Sequence, residues 1–241
     1  MTTPKSVAVV SLMIVVFAAF ALPVFAVDYN PGVSAGQYVR YGNFVGTGPG
    51  VELFNDYDWQ KLEVTSVSGK EVTLLSTGQL KNGAATPGNG TVQVWNVETG
   101  TEDGTPSVQG PIIAGNLNEG DPIPPPGTYS VNQTETRTYL GVSRIVNILD
   151  STISTPDYTT TLTYVYDRVS GMLLEAASET TQTLPEQTTS KYSYSVTETN
   201  IFGSTPLGSV PVEFLLVAAV AVIIAIVVAA VAFRKRTKQN V

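Results

Sequence analysis

Trp59-Gln-Lys-Leu-Glu-Val-Thr-Ser-Val67, then Ser68-Gly69-Lys70, then Glu71-Val-Thr-Leu-Leu-Ser-Thr77 is the stretch that decides the fold. Two runs rich in Val, Thr and Leu flank three residues that include a glycine, the pattern of two antiparallel strands joined by a tight turn. Outward from it the same grammar recurs. Tyr164-Val-Tyr166, Asp167-Arg-Val-Ser-Gly171 and Met172-Leu-Leu-Glu-Ala176 read as a second hairpin with a longer loop. Lys191-Tyr-Ser-Tyr-Ser-Val-Thr197 alternates, placing Tyr192, Tyr194 and Val196 on one face and Ser193, Ser195 and Thr197 on the other. Further strands are expected over 37–44, 91–97, 159–165 and 134–149, the last as one long strand bent at Gly141. No window sustains a 3.6-residue period over three turns. The expectation is therefore a mainly β protein. About eight antiparallel strands would form a strongly curved sheet, as a half-barrel or barrel, or fold over as a sandwich. Gly78–Gly90 and Thr99–Gly127, rich in Gly, Pro and Asn, are expected as long loops, with Ile112-Ile113 pinning the second to the core or forming an edge strand.

The two ends of the chain differ in kind from this middle. Lys5, an apolar run from Val7 to Ala26 broken at Pro23, and the small residues Val24-Phe25-Ala26 have the layout of a secretory signal with cleavage after Ala26; an uncleaved anchor is the alternative. Phe214 to Phe233 holds twenty residues without a charge, Gly or Pro. As a helix it would be about 30 Å long, the thickness of the hydrocarbon core. Arg234, Lys235, Arg236 and Lys238 follow it and Glu213 precedes it, so the positive-inside rule places the tail in the cytoplasm. The expected organisation is a signal peptide (1–26), an extracellular β domain (27–203), a short tether (204–213), one C-terminal transmembrane helix (214–233) and a cytoplasmic basic tail (234–241). That makes a single-pass protein of the cell membrane with its N-terminal domain outside.

Composition narrows the chemistry. Residues 27–212 carry eight cations against nineteen acids, a balance that repels phosphate and excludes nucleic acid as a natural partner. The chain has no Cys and no His, which removes thiol nucleophiles, Ser-His-Asp triads, His/Cys zinc sites and dithiol redox chemistry. An exported domain without disulfides points to a prokaryotic envelope.

What remains is carboxylate, Ser/Lys, Tyr and Arg chemistry, and no pattern of it marks a catalytic residue or calls for a cofactor. Asn55-Asp56-Tyr57-Asp58, Glu102-Asp103 and Glu119-Gly-Asp121 are acidic clusters that leave a metal site open, although the first fails the EF-hand spacing. Ser68-Gly-Lys70 sits in a turn, where water keeps the lysine protonated. Asn89-Gly-Thr91 and Asn132-Gln-Thr134 fit glycosylation acceptors. The aromatic side chains Trp59, Trp95, Tyr164, Tyr166, Tyr192 and Tyr194 are the candidate ligand-facing set, with core packing as the competing reading.

With these features placed, the chain resembles archaeal single-pass surface proteins of uncharacterised function. Pro211-Val-Glu213-Phe214, the apolar span and Arg234-Lys-Arg236 look like the tripartite C-terminal sorting signals of such proteins, with Val212 interrupting the motif. The Tyr166–Leu174 hairpin is similar to a strand-turn-strand of lipoprotein-carrier-like half-barrels. The expected function is a membrane-anchored surface protein that is not an enzyme. Its β domain would bind an envelope glycan or a surface-layer protein. An apolar-ligand or lipid carrier and a carboxylate-based hydrolase of envelope glycans are the alternatives.

Overall fold

The computed structural model describes residues 27–107, 110–125, 129–183 and 187–203. The expected signal peptide, tether, transmembrane helix and basic tail lie outside the described residues, save the boundary at 203. The chain divides into two units, 1–199 and 200–241. Of the second only a short 3₁₀ turn, Ile201–Gly203, is described.

The first unit is mainly β. Its strands are β1 (Tyr38–Thr47), β2 (Tyr57–Ser68), β3 (Glu71–Leu80), β4 (Thr91–Asn96), β5 (Thr101–Glu102), β6 (Thr105–Pro106), β7 (Pro122–Ile123), β8 (Tyr129–Ser130), β9 (Gln133–Tyr139), β10 (Val142–Ser154), β11 (Tyr158–Asp167), β12 (Leu173–Gln182) and β13 (Thr188–Thr199). Eleven of them form one antiparallel sheet in the order β6-β5-β4-β3-β2-β1-β13-β12-β11-β10-β9, and β7 pairs with β8. Among the described residues no helix is long and apolar enough to cross a membrane.

The sheet consists of two meanders, β1 to β6 and β9 to β13, zipped together by the pairing of β1 with β13. That arrangement leaves β6 at one edge and β9 at the other, so the chain between them must travel the full width of the sheet. The described residues of this crossing, 110–125 and 129–132, bring the missing half of the core. Ile112, Ile113, Ala114, Leu117, Ile123 and Val131 are buried in it, as are Val39, Leu74, Val146 and Leu174 of the sheet. Here the structure corrects the expectation. The sheet is open, neither closed into a barrel nor strongly curled, and it is not a two-sheet sandwich. The crossing strap occupies much of the face where an opposite wall would stand, so a core is buried without closure. Ile112 does pin the strap, through an isolated bridge to Met172.

The 134–149 segment is also corrected. It is not one bent strand but the hairpin β9–β10, reversing at Leu140-Gly141. A two-residue turn with positive φ at both positions ordinarily carries Asn-Gly. Here it carries Leu at φ 50° and Gly at φ 79°, so the usual signal is missing from the sequence.

The strap rests on a buried turn, Asp167–Gly171, between β11 and β12. Asp167 is fully buried and receives Arg144 of β10 through both carboxylate oxygens, Nε to Oδ1 at 2.7 Å and Nη2 to Oδ2 at 2.9 Å. The Ser170 backbone N–H and hydroxyl donate to the same carboxylate. The outer side of the turn then bonds the strap: Asn116 N–H donates to Arg168 O (2.6 Å), Ile113 N–H to Gly171 O (2.9 Å), and Leu173 N–H to Pro111 O (3.0 Å). Backbone approaches backbone so closely that a Cβ on Gly32 would stand 1.9 Å from Val169 O, and one on Gly171 (φ 73°) 2.0 Å from Ile113 O. Only glycine fits at either place.

A buried ion pair that loses one partner strands the other charge, at a cost of about 3–5 kcal/mol. Asp167→Asn is therefore expected to lower the unfolding free energy by about that amount in urea titration. Lys191→Ala, which breaks the exposed pair with Glu179, is expected to cost no more than about 1 kcal/mol.

Candidate functional site

Where the strap passes Pro111, it leaves part of the sheet's inner face uncovered. The result is a cleft of about 240 Å³ lined by Tyr41 of β1, Gln60 and Leu62 of β2, Gln93 and Trp95 of β4, Glu102 of β5, Tyr164 of β11, Leu173 of β12, and Tyr192 and Tyr194 of β13. Period-two alternation puts these residues on one face, and the β1–β13 junction brings the two meanders' aromatics together. The rings form a continuous set. Tyr41 meets Tyr194 edge-on at 5.2 Å, Phe44 lies 5.4 Å from Tyr194 and 5.1 Å from Tyr57, and Phe54 stacks on Tyr192 at 4.5 Å. Such pairs are worth about 0.5–1.5 kcal/mol beyond their buried area.

The polar groups of the cleft are sparse and placed. Tyr41 donates its hydroxyl to Leu173 O (2.9 Å). Gln60 Nε2 donates to Ser76 Oγ (3.2 Å), and Gln93 Nε2 donates to Glu102 Oε1. Beside the cleft, Tyr166 donates to Gly110 O (3.0 Å), and the ring of Trp95 packs against the same glycine. The Trp95 indole N–H is buried without a hydrogen-bond partner.

Burial sets the protonation of these phenols. It pushes Tyr41, Tyr164, Tyr166 and Tyr194 well above the ordinary tyrosine range, and neighbouring phenols add to the shift. All four are neutral hydroxyls across physiological pH, able to donate and to accept.

Of the six aromatics singled out in the sequence, Trp95, Tyr164, Tyr192 and Tyr194 line the cleft and Tyr166 lies behind it, under the strap. Trp59 is on the opposite face of the sheet, where Arg40 sits 4.7 Å over its ring and its indole donates to Gln79. Tyr41, Gln60 and Gln93 join the site without having been singled out, and Glu102, noted in the sequence only within an acidic cluster, lines it as well. Tyr41 could have been found from its place opposite Val196, but that pairing links residues far apart in sequence.

Members of the acidic clusters make local hydrogen bonds. Asn55 exchanges hydrogen bonds with Gly46, Asp103 caps Val94 N–H, and Asp121 accepts from Asn118 N–H at 2.7 Å. Among the described residues no group of three or more acids could hold a metal ion. Lys70 reaches Asp28 and Asn30 and ties down the N-terminal segment. Asn89 and Asn132 are exposed, and each side-chain oxygen accepts from a neighbouring strand, from Gly78 and Asp150 N–H respectively. No family model and no curated protein matches the chain.

The buried phenols give a pH signature. Their folded-state pKa lies above the unfolded value of about 10. Their contribution to stability is therefore complete below pH 10 and is lost as pH rises through that value toward the folded-state range. Ultraviolet titration of the native chain is expected to leave Tyr41, Tyr164, Tyr166 and Tyr194 un-ionised until unfolding, with Tyr139, pushed up to about 12 mainly by burial, following the freely exposed phenols.

Proposed function

We propose that the chain is a non-enzymatic, membrane-anchored surface protein whose tyrosine cleft binds an envelope glycan. The observation that carries this reading is the combination in one solvent-open cleft of flat aromatic faces with Gln60, Gln93, Glu102 and neutral phenols. A sugar ring offers the complement of that wall, with apolar C–H faces to stack and hydroxyls at its rim to hydrogen-bond. The location rests on the sequence: the signal at 1–26, the span at 214–233 and the basic tail put residues 27–203 outside, on a single-pass anchor in the bilayer.

The interior speaks against a lipid carrier, because the strap fills with Ile112, Ile113, Leu117 and Ile123 the space an acyl chain would need. Glycoside hydrolysis requires two carboxyl groups flanking the bond. The cleft is lined by one, Glu102, already engaged by Gln93. Binding without turnover is what this set of groups supports.

Tyr192 is half-buried at the cleft and reaches both ligand space and Phe54. Tyr192→Ala is expected to weaken glycan binding by the full chain in detergent about tenfold, the loss of roughly 1.4 kcal/mol of stacking. Calorimetry on envelope polysaccharide fractions checks it, and equal affinities of the parent and variant chains would overturn the assignment.

A further inference from the structure

One rim of the sheet collects the turns β2–β3, β9–β10 and β11–β12, the entry of β1 and the exit of β13. Contacts make it a continuous rim: Lys70 pairs with Asp28, Gly32 abuts Val169 O, and Arg168 N–H donates to Ile145 O. Across the ladder, Ser195 is in register with Glu175, Val165, Ile148 and Gln133. From that row β13 runs four residues to Thr199, and β9 runs seven in the same direction to Leu140. At about 3.3 Å per residue, the β9–β10 tip passes the level of Thr199 by roughly 10 Å.

That tip is apolar. Leu140 is 51% exposed and Val142 39%. The charges behind it are paired, Arg144 with Asp167 and Arg137 with Glu135 and Glu175. Leu140 also stands in the left-handed region at φ 50°, where a branched apolar side chain is disfavoured and Asn or Gly is ordinary. Folding does not explain a leucine there, because it is neither buried nor suited to the turn.

We propose that the β9–β10 tip rests in the interfacial layer of the same bilayer that anchors the chain. The occupant is fixed by where the chain goes: it leaves the sheet at Thr199 on this rim, and the apolar run begins at Phe214. The intervening residues, even fully extended, reach only about 50 Å. Shallow insertion of Leu140 and Val142 would set the height and tilt of the domain and hold the cleft at a fixed distance from the membrane. The inference rests on the membrane-anchored reading proposed above.

The chain has no cysteine, so single labels can be placed at will. Full-length chains carrying Leu140→Cys or Tyr158→Cys, the latter on the opposite rim, are labelled with an environment-sensitive fluorophore. They are then reconstituted in phosphatidylcholine vesicles containing phosphatidylglycerol and doxyl-labelled lipid. The expected result is blue-shifted emission at 140 that the doxyl lipid quenches, with the label at 158 remaining at its value in water. Equal water exposure at both positions in chains that float with the vesicles overturns the tip contact while leaving the anchor intact. Chains that fail to float overturn both. Leu140→Asn, which suits the left-handed turn, is expected to raise the melting temperature while abolishing quenching of a label at Val142→Cys; quenching that persists there refutes the proposal.

Discussion

The Arg144–Asp167 pair sits where β10, the β11–β12 turn and the strap are joined. Asp167 is sealed from water and receives two bonds from the guanidinium and two from Ser170, so a charge that would be costly alone is fully answered. The consequence is geometric. A hairpin turn, normally a surface feature, is held inside, and its backbone becomes a bonding platform for the strap and for the N-terminal segment at Gly32. Asn147 and Arg168 complete the platform by donating to Leu117 O. If the turn swung outward, the strap would lose its partners, and the inner face of the sheet would lose the Ile and Leu side chains that cover it.

This dependence explains why an open sheet is tolerated. A sheet with one bare apolar face must close, double over or be covered, and here it is covered by a connection that the topology makes obligatory. The two edges are then left to be managed separately. β5 and β6 are only two residues each, and β9 presents Glu135 and Arg137. Very short strands and edge charges are the usual defences against unwanted pairing.

The sequence discloses what is local and hides what is long-range. The β2–β3 and β11–β12 hairpins and the faces of Tyr192 and Tyr194 follow from alternation and turn residues that lie side by side in the chain. The β9–β10 hairpin does not, because Leu140 occupies a position whose backbone asks for Asn or Gly. The openness of the sheet could not be read either, since Thr99–Gly127 reads as a long loop that Ile112-Ile113 pins to the core. That Leu117 and Ile123 of the same segment are also core follows only once the strand order shows what they must cross. The cleft was half legible for the same reason: its β11 and β13 aromatics are paired locally, whereas Tyr41, Gln60 and Gln93 reach them only through β1 against β13.

That last pairing also shapes the cleft. It joins strands separated by most of the domain, so closing its loop costs more entropy than closing any of the hairpins. The contact it creates between Tyr41 and Tyr194 is also part of the wall of the cleft. Neither meander alone contains the cleft; it comes into being with the pairing of β1 and β13. A ligand that bridges Gln60 or Gln93 on one side and Tyr192 on the other would therefore bind only the closed sheet and stabilise the junction by its own binding free energy. Occupancy of the cleft and integrity of the domain are thus linked through the same few rings.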